Sequence, residues 1–144
     1  MPELSKKIYA GADMFLMPSQ SEPCGLAQMI ALRYGTIPIV RETGGLRDSI
    51  HDAGDKNGNG FTFKSYNAHD MLDAVVGARA YYDDKMKWGR LVNTALKQDF
   101  SWTKSAKDTL HFTTRFTKHQ YPFILPDKRE RPSLILGAVF FVFI

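Results

Sequence analysis

The chain of 144 residues is long enough for one ordinary domain with its own core and too short for two sizeable ones. Hydrophobic residues make up 44% and charged residues 24%, a balance that excludes an intrinsically disordered chain and indicates a soluble, globular one. The formal charge of +4 is spread along the chain, and its one cluster, "DKRERP" at 127–132, reads as a solvated turn, so nucleic acid is not an expected partner.

In chain order, "ELSKKIYAG" at 3–11 suits a short helix ended by Gly11. "MFLMP" at 14–18 is a continuous apolar run stopped by Pro18, the pattern of a strand buried on both faces of a parallel sheet. Gly25 to Tyr34 then sets Leu26, Met29, Ile30 and Arg33 at helical spacing, with Gly35 as a C-terminal stop. "TIPIV" at 36–40 is a second β-branched run, and Leu46 to Ile50 opens a further helical turn. "DAGDKNGNG" at 52–60 holds three glycines and two asparagines and reads as an exposed loop before a short strand, "FTF", at 61–63.

From Asn67 the pattern is helical. Asn67 is a good cap with Asp70 in the first turn, and Met71, Val75, Ala78 and Tyr82 form an apolar stripe flanked by Leu72 and Val76. A second helix is predicted over Lys85 to Leu96, with Trp88, Leu91, Val92 and Ala95 facing inward. A third opens at Ser101 or Thr103 and runs to about Thr117, carrying Ala106, Leu110 and Phe116. From His119 the pattern breaks down, and Pro122, Pro126 and Pro132 exclude a long helix. The closing run "SLILGAVFFVFI", Ser133 to Ile144, is shorter than the ~20 residues a bilayer span needs, so no membrane partner is expected. It fits a strand, a truncated anchor or sequence read past a natural end, and the last is the reading adopted.

Alternating β and α units to residue 63, followed by helices alone, predict an α/β fold: a partial Rossmann-like open parallel sheet, helices on both faces, closed by C-terminal helices. In such sheets ligands sit past the carboxyl ends of the strands, at the strand-to-helix turns. "SEPCG" follows the first strand and "TGG" the second, each at a helix entrance where free N–H groups and the helix dipole favour an anion. Gly44 and Gly45 let backbone approach a phosphate, and Thr43 adds a hydroxyl donor. Glu22 repels phosphate, so it makes sense beside the hydroxylated part of the same ligand, where it accepts O–H hydrogen bonds. Each piece alone also has a plainer reading, a simple turn or a dipole-complementing carboxylate. Cys24 is the only cysteine; it excludes an internal disulfide and is read as filling a small space in the turn rather than as a nucleophile. His51, His69, His111 and His119 lack metal-ligand spacing and read as surface or packing residues. Asp83 and Asp84 are adjacent and do not form a catalytic pair.

Taken together, "YAGADMFLMPSQSEPCGLAQMIALRYGTIPIVRETGGLRDSI" closely resembles the C-terminal-domain signature of bacterial glycogen synthases and plant starch synthases, retaining glucosyltransferases of the two-domain GT-B architecture. The likeness continues through "GNGFTF", "NAHDML" and "DFSWTKSAKDTL", about residues 5–118. It implies that residues 1–118 are an incomplete donor-binding domain, the later part of the C-terminal half of a GT-B fold, and that 119–144 are a divergent tail. It implies further that Glu22 is the acidic residue that holds the donor, counted here as the catalytic candidate. Pro23, Cys24, Gly25 and Leu26 match the turn whose amides approach the donor. Thr43, Gly44 and Gly45 match the turn that cradles the distal phosphate, followed by Leu46, and Tyr34 and Gly35 shape the crevice wall. The family uses ADP-glucose in most bacteria and in plastids, needs no metal or other cofactor, and extends the non-reducing end of an α-1,4-glucan in the cytoplasm or a plastid.

The family's acceptor domain, its Lys-Thr-Gly-Gly-Leu loop, a histidine near the reacting carbon and an Arg and Lys that neutralise the donor phosphates are not found in these residues. Two expectations follow. The chain is a donor-side fragment whose activity needs a separate N-terminal half, or it is a non-catalytic module that binds nucleotide-sugar or glucan.

Overall fold

The computed structural model describes the backbone of residues 2–120 and the side chains of residues 3–115. The proline-broken stretch and the apolar tail expected near the C-terminus lie outside the described residues. The chain divides into two units, Met1–Asp99 and Phe100–Ile144, so the third predicted helix is grouped with the second unit rather than with a domain reaching residue 118.

In the first unit α1 (Pro2–Gly11), β1 (Met14–Met17), α2 (Ala27–Tyr34), β2 (Ile37–Arg41), α3 (Gly44–Ser49) and β3 (Phe61–Phe63) alternate, and α4 (Ala68–Asp83) and α5 (Lys85–Leu96) follow. The three strands form one parallel sheet in the order β1-β2-β3, with Met14 opposite Ile37 and Ile39 opposite Phe61. Side chains alternate between faces along a strand, yet Ile37, Pro38, Ile39 and Val40 are all buried, so both faces of β2 are covered. Pro38 is tolerated there because the neighbouring Ile37 N–H donates to Asp13 on the β1 side. The nitrogen of Pro38 therefore faces β3, one residue before that ladder begins at Ile39.

The expectation that the first strand is buried on both faces is corrected. Met14, Phe15 and Met17 are half-buried and Leu16 is 44% exposed, because among the described residues β1 has a strand on one side only. The opposite edge is closed by the chain itself. Asp52 bridges Gly60 in parallel, and its Oδ2 accepts from Thr62 N at 3.2 Å, which occupies an N–H of β3.

The helix after β1 buries residues that its apolar spacing does not mark. Gln28, Ala31 and Leu32 are buried, whereas Leu26 is 67% and Ile30 42% exposed. Small Ala31 and Leu32 fit against the sheet, and Gln28 is held by polar partners described below. α3 starts at Gly44, two residues before the predicted Leu46. The glycine-rich loop is exposed at 54–57, but Gly58, Asn59 and Gly60 are buried, against expectation. Asn59 makes this possible: its Oδ1 accepts from His51 N at 2.8 Å and its Nδ2 donates to the Ser49 carbonyl at 3.0 Å, supplying backbone groups that no strand pairs.

The core joins Leu32, Ile37, Ile39, Val40, Leu46, Ile50 and Phe61 to Ala78, Trp88, Leu91 and Ala95, so α4 and α5 close the sheet as expected. Tyr82 meets Trp88 edge-on at 5.1 Å, and Tyr81 meets Phe61 at 5.4 Å. Both helices carry their own caps. Asn67 accepts from Asp70 N at 2.8 Å, and Asp84 accepts from the amides of Met86 and Lys87, each at 3.1 Å.

In the second unit α6 (Trp102–Gln120) begins where predicted and continues to Gln120, past the His119 break. Its described side chains are exposed, and Lys104 pairs with Asp108 one turn on at 2.9 Å.

Candidate functional site

The two glycine turns after β1 and β2 meet. Gly45 N donates to the carbonyls of Glu22 at 3.1 Å and Pro23 at 3.2 Å. The approach is too close for any side chain: a Cβ on Gly44 would lie 2.0 Å from the Glu22 oxygen, and one on Gly45 would lie 1.9 Å from the Cys24 oxygen. Gly44 also has φ +45° and Gly25 φ +69°, conformations that favour glycine. Sequence spacing placed these turns at neighbouring strand ends; the structure brings them into backbone contact.

The helix entrances beside this junction have no side-chain cap. Leu26 stands at the N-cap of α2 and has no side-chain acceptor. Thr43 stands at the N-cap of α3 in extended conformation, and its hydroxyl caps nothing. The reason lies in its usual targets: Gly45 N is taken by the other turn, and Leu46 N donates to the Thr43 carbonyl at 3.1 Å. Glu22 is half-buried, and among the described residues its carboxylate has no hydrogen-bond or ion-pair partner.

The remaining candidates separate. Pro23 and Cys24 are exposed, and Gly25 is half-buried, at the junction. The Cys24 thiol is exposed, which corrects its reading as filler of a small space; the close packing is made by its carbonyl. Leu46 is fully buried in the core, so it anchors the turn from beneath and offers no side chain to a ligand. Tyr34 and Gly35 lie at the far end of α2, about 12 Å of helix from Leu26. There Tyr34 stacks on Tyr9 at 6.3 Å, and a Cβ on Gly35 would meet Val92 at 3.3 Å. The structure does not bring this pair to the turns. A recess of about 630 Å³ between β3 and α4, lined by Asp52, Thr62, Asp73 and Tyr81 among others, shares no residue with the junction.

Among the described residues no group of three or more His, Cys, Asp or Glu side chains could hold a metal ion, and no helix is long and apolar enough to cross a membrane. His51, His69 and His111 are exposed.

Residues 2–85, which contain both turns, match the model of the family described as glycosyl transferases group 1. The chain belongs to that family. Within the group 1 glycosyl transferases it is 57% identical over 106 residues to the glycogen synthase of Anoxybacillus flavithermus and 58% identical over 106 residues to that of Bacillus anthracis. Each alignment covers 72% of this chain and 22% of the relative, so the chain spans about a fifth of the length of the curated relatives it matches. Among solved structures it is similar to the catalytic domain of starch synthase IV from Arabidopsis thaliana bound to ADP and acarbose, with a TM-score of 0.69 and 47% identity. That match covers 78% of this chain and 24% of the other. A sucrose-phosphate synthase from Thermosynechococcus elongatus shares the fold at a TM-score of 0.54 and 21% identity, covering 77% of this chain and 27% of the other. The α/β fold with a parallel sheet is therefore that of the GT-B glycosyltransferases.

Several residues of this group 1 domain escape sequence reasoning. Arg41 ends β2 and donates to the carbonyls of Gln20 at 2.7 Å, Ser19 at 3.4 Å and Lys64 at 3.2 Å, with its guanidinium 5.5 Å from the Tyr66 ring centre. It braces the segment leading into Glu22. Gln28 and Ser49 link the two turns, and Asn59 holds Ser49 from the other side. The available signal was a polar residue inside the apolar helix "LAQMIAL".

Proposed function

We propose that this chain forms part of the donor-binding side of a retaining glucosyltransferase that moves glucose from ADP-glucose to the non-reducing end of an α-1,4-glucan. The single observation that carries this reading is the backbone junction of the two turns beside a carboxylate, Glu22, that has no partner among the described residues. Thr43, Gly44 and the Pro23–Leu26 turn face the diphosphate. Glu22 accepts from hydroxyls of the glucosyl unit or ribose, the one part of such a donor that welcomes a carboxylate. Helix entrances left without side-chain caps suit a ligand that brings the negative charge, and fixed dipoles aimed at a leaving diphosphate stabilise the charge that develops on it. The reaction needs no metal in this reading, and the protein works in the cytoplasm or a plastid.

In this reading the acceptor-binding groups lie outside these 144 residues, in the N-terminal half of such an enzyme; the chain spans about a fifth of the relatives it matches. Without that half these residues are a weak nucleotide-sugar-binding module. Titration of the 144-residue chain with ADP-glucose, followed by ligand-observed NMR, tests this. Saturable binding that weakens about tenfold in Glu22→Ala supports it, the loss expected for hydrogen bonds to a charged acceptor. Absence of binding to the wild-type chain, or equal binding by Glu22→Ala, refutes the placement of the donor here. The chain alone transfers no labelled glucose to glycogen; transfer above a heat-killed control overturns the need for a second half.

A further inference from the structure

Gln28 lies wholly buried on α2, and its carboxamide links the two turns through hydrogen bonds. Its Nε2 donates to the Gly25 carbonyl at 2.9 Å and to Ser49 Oγ at 3.1 Å, with the Cys24 carbonyl at 3.4 Å. Ser49 Oγ in turn donates to the Gly45 carbonyl at 2.6 Å. The donor order therefore runs from Gln28 through Ser49 into the "TGG" turn. The Gly45 N–H closes the loop by donating back to Glu22 and Pro23. A ring of hydrogen bonds thus passes from one turn to the other by side chains and returns by backbone.

The other end of the same carboxamide makes the case for purpose. Oε1 of Gln28 is buried with no hydrogen-bond partner among the described residues, pressed where a Cβ on Gly25 would come within 2.6 Å. A buried acceptor left unpaired is unfavourable, and a methionine of similar length would fill the space without it. What methionine cannot do is donate to the Gly25 carbonyl and to Ser49 at once.

We propose that Gln28 is a positioning residue which, through Ser49, holds the Cys24–Gly25 turn and the Thr43–Gly45 turn as one rigid receptor. Its consequence for affinity rests on the donor reading above; its mechanical part does not. Fixing both turns before a ligand arrives removes the ordering cost from binding.

The test uses the isotope-labelled 144-residue chain and three variants, Gln28→Met, Ser49→Ala and Gln28→Glu. Amide hydrogen exchange is read as protection at Gly45 relative to Ile39 and Val40, and ADP is titrated as the probe. In Gln28→Met and Ser49→Ala, relative protection at Gly45 falls about tenfold and the Kd for ADP rises by a similar factor, the loss of roughly one hydrogen bond. Gln28→Glu gives a signature that simple loosening cannot. Ionised, it has no donor for the Gly25 carbonyl or Ser49 and behaves like the methionine variant at neutral pH. Protonated, it regains one O–H donor, so protection at Gly45 recovers on acidification to about pH 5, while the methionine variant does not respond.

Gly45 protection unchanged in both Gln28→Met and Ser49→Ala overturns the proposal, and so does a Gly45 loss matched by equal loss at Ile39 and Val40. Loosened turns with an unchanged ADP Kd overturn the claim that the ring serves binding. If Gln28→Met fails to fold, Ser49→Ala and the pH response of Gln28→Glu decide. Absence of ADP binding by the wild-type chain counts against the donor reading alone, since the exchange arm decides the ring by itself.

Discussion

The helices of the first unit start in two different ways. α4 and α5, which close the core, carry side-chain caps in Asn67 and Asp84. α2 and α3, which follow the strand ends, carry none, and where Thr43 has the right conformation its target amides already hold backbone partners. A helix start without a side-chain cap leaves backbone N–H groups to other partners, and on the donor reading proposed above α2 and α3 leave theirs to the ligand. The glycines divide along the same line. Those at the junction have no room for a methyl group, whereas Gly89 on α5 has nothing within 4 Å of a Cβ.

The largest expected effect breaks this contrast at its tightest point. Gly45→Ala forces the Cys24 carbonyl aside and is expected to lower stability by about 3 kcal/mol, the upper range for overpacking. Gly89→Ala sits in open space on a helix and is expected to raise stability by up to about 1 kcal/mol. For a domain of this size each kcal/mol moves the melting temperature by about 4–8 °C, so thermal unfolding separates the two. A Gly45→Ala variant that melts with the wild type would show that the turns do not press together in solution.

A middle-sized effect concerns the caps. Asn67→Ala removes the acceptor for Asp70 N and is expected to cost about 1 kcal/mol. Thr43→Ala removes a hydroxyl that caps nothing, so its melting temperature stays within a degree or so of wild type, a shift of only a few tenths of a kcal/mol. On the donor reading its ADP affinity falls instead, because that hydroxyl caps no helix amide and is offered to phosphate. Equal melting losses in the two variants would erase the distinction between the capped and the uncapped helix starts.

How much of this was legible in the sequence follows from range. Apolar runs and glycine stops located every strand and helix, and the order "EPCGL", "RYGTIP", "TGGL" carried the family. The turns were legible as turns because glycine and proline act locally. Their backbone contact was not, since no spacing rule states that Gly45 N meets Glu22. The burial of Gln28 on α2 was not legible, because helical spacing marked Leu26, Met29, Ile30 and Arg33, while the partners of Gln28, Gly25 and Ser49, are supplied partly from 21 residues away. Leu46 shows the converse: a residue adjacent to the Thr43–Gly45 turn that faces the core. Asn59 was hidden for the same reason, since a buried carboxamide in a glycine-rich loop declares itself only through the backbone it satisfies.

The smallest effect sharpens the contrast through protons. Hydrogen bonds from Ser65 and then Asn67 hold the Asp70 carboxyl below its usual value, and the Lys87 amide, foremost, does the same for Asp84. A carboxyl whose pKa is lowered by folding adds stability above its unfolded value of about 3.9, and that stability is lost as pH falls through the lower folded value. Thermal unfolding is therefore expected to drop on acidification below about pH 4, with part of the slope arising at the capped helices. Asp84→Asn keeps an acceptor oxygen for the Met86 and Lys87 amides but cannot titrate, and it also gives up the 3.4 Å pairing with Lys87. It should melt slightly below wild type at pH 6 and converge with it as pH falls through the lowered folded value, where the native aspartate loses its charge too. If the gap instead stays constant across that range, the cap of α5 works through hydrogen-bond geometry alone, and charge at the helix start distinguishes α5 from α2 less than the acceptor oxygen does.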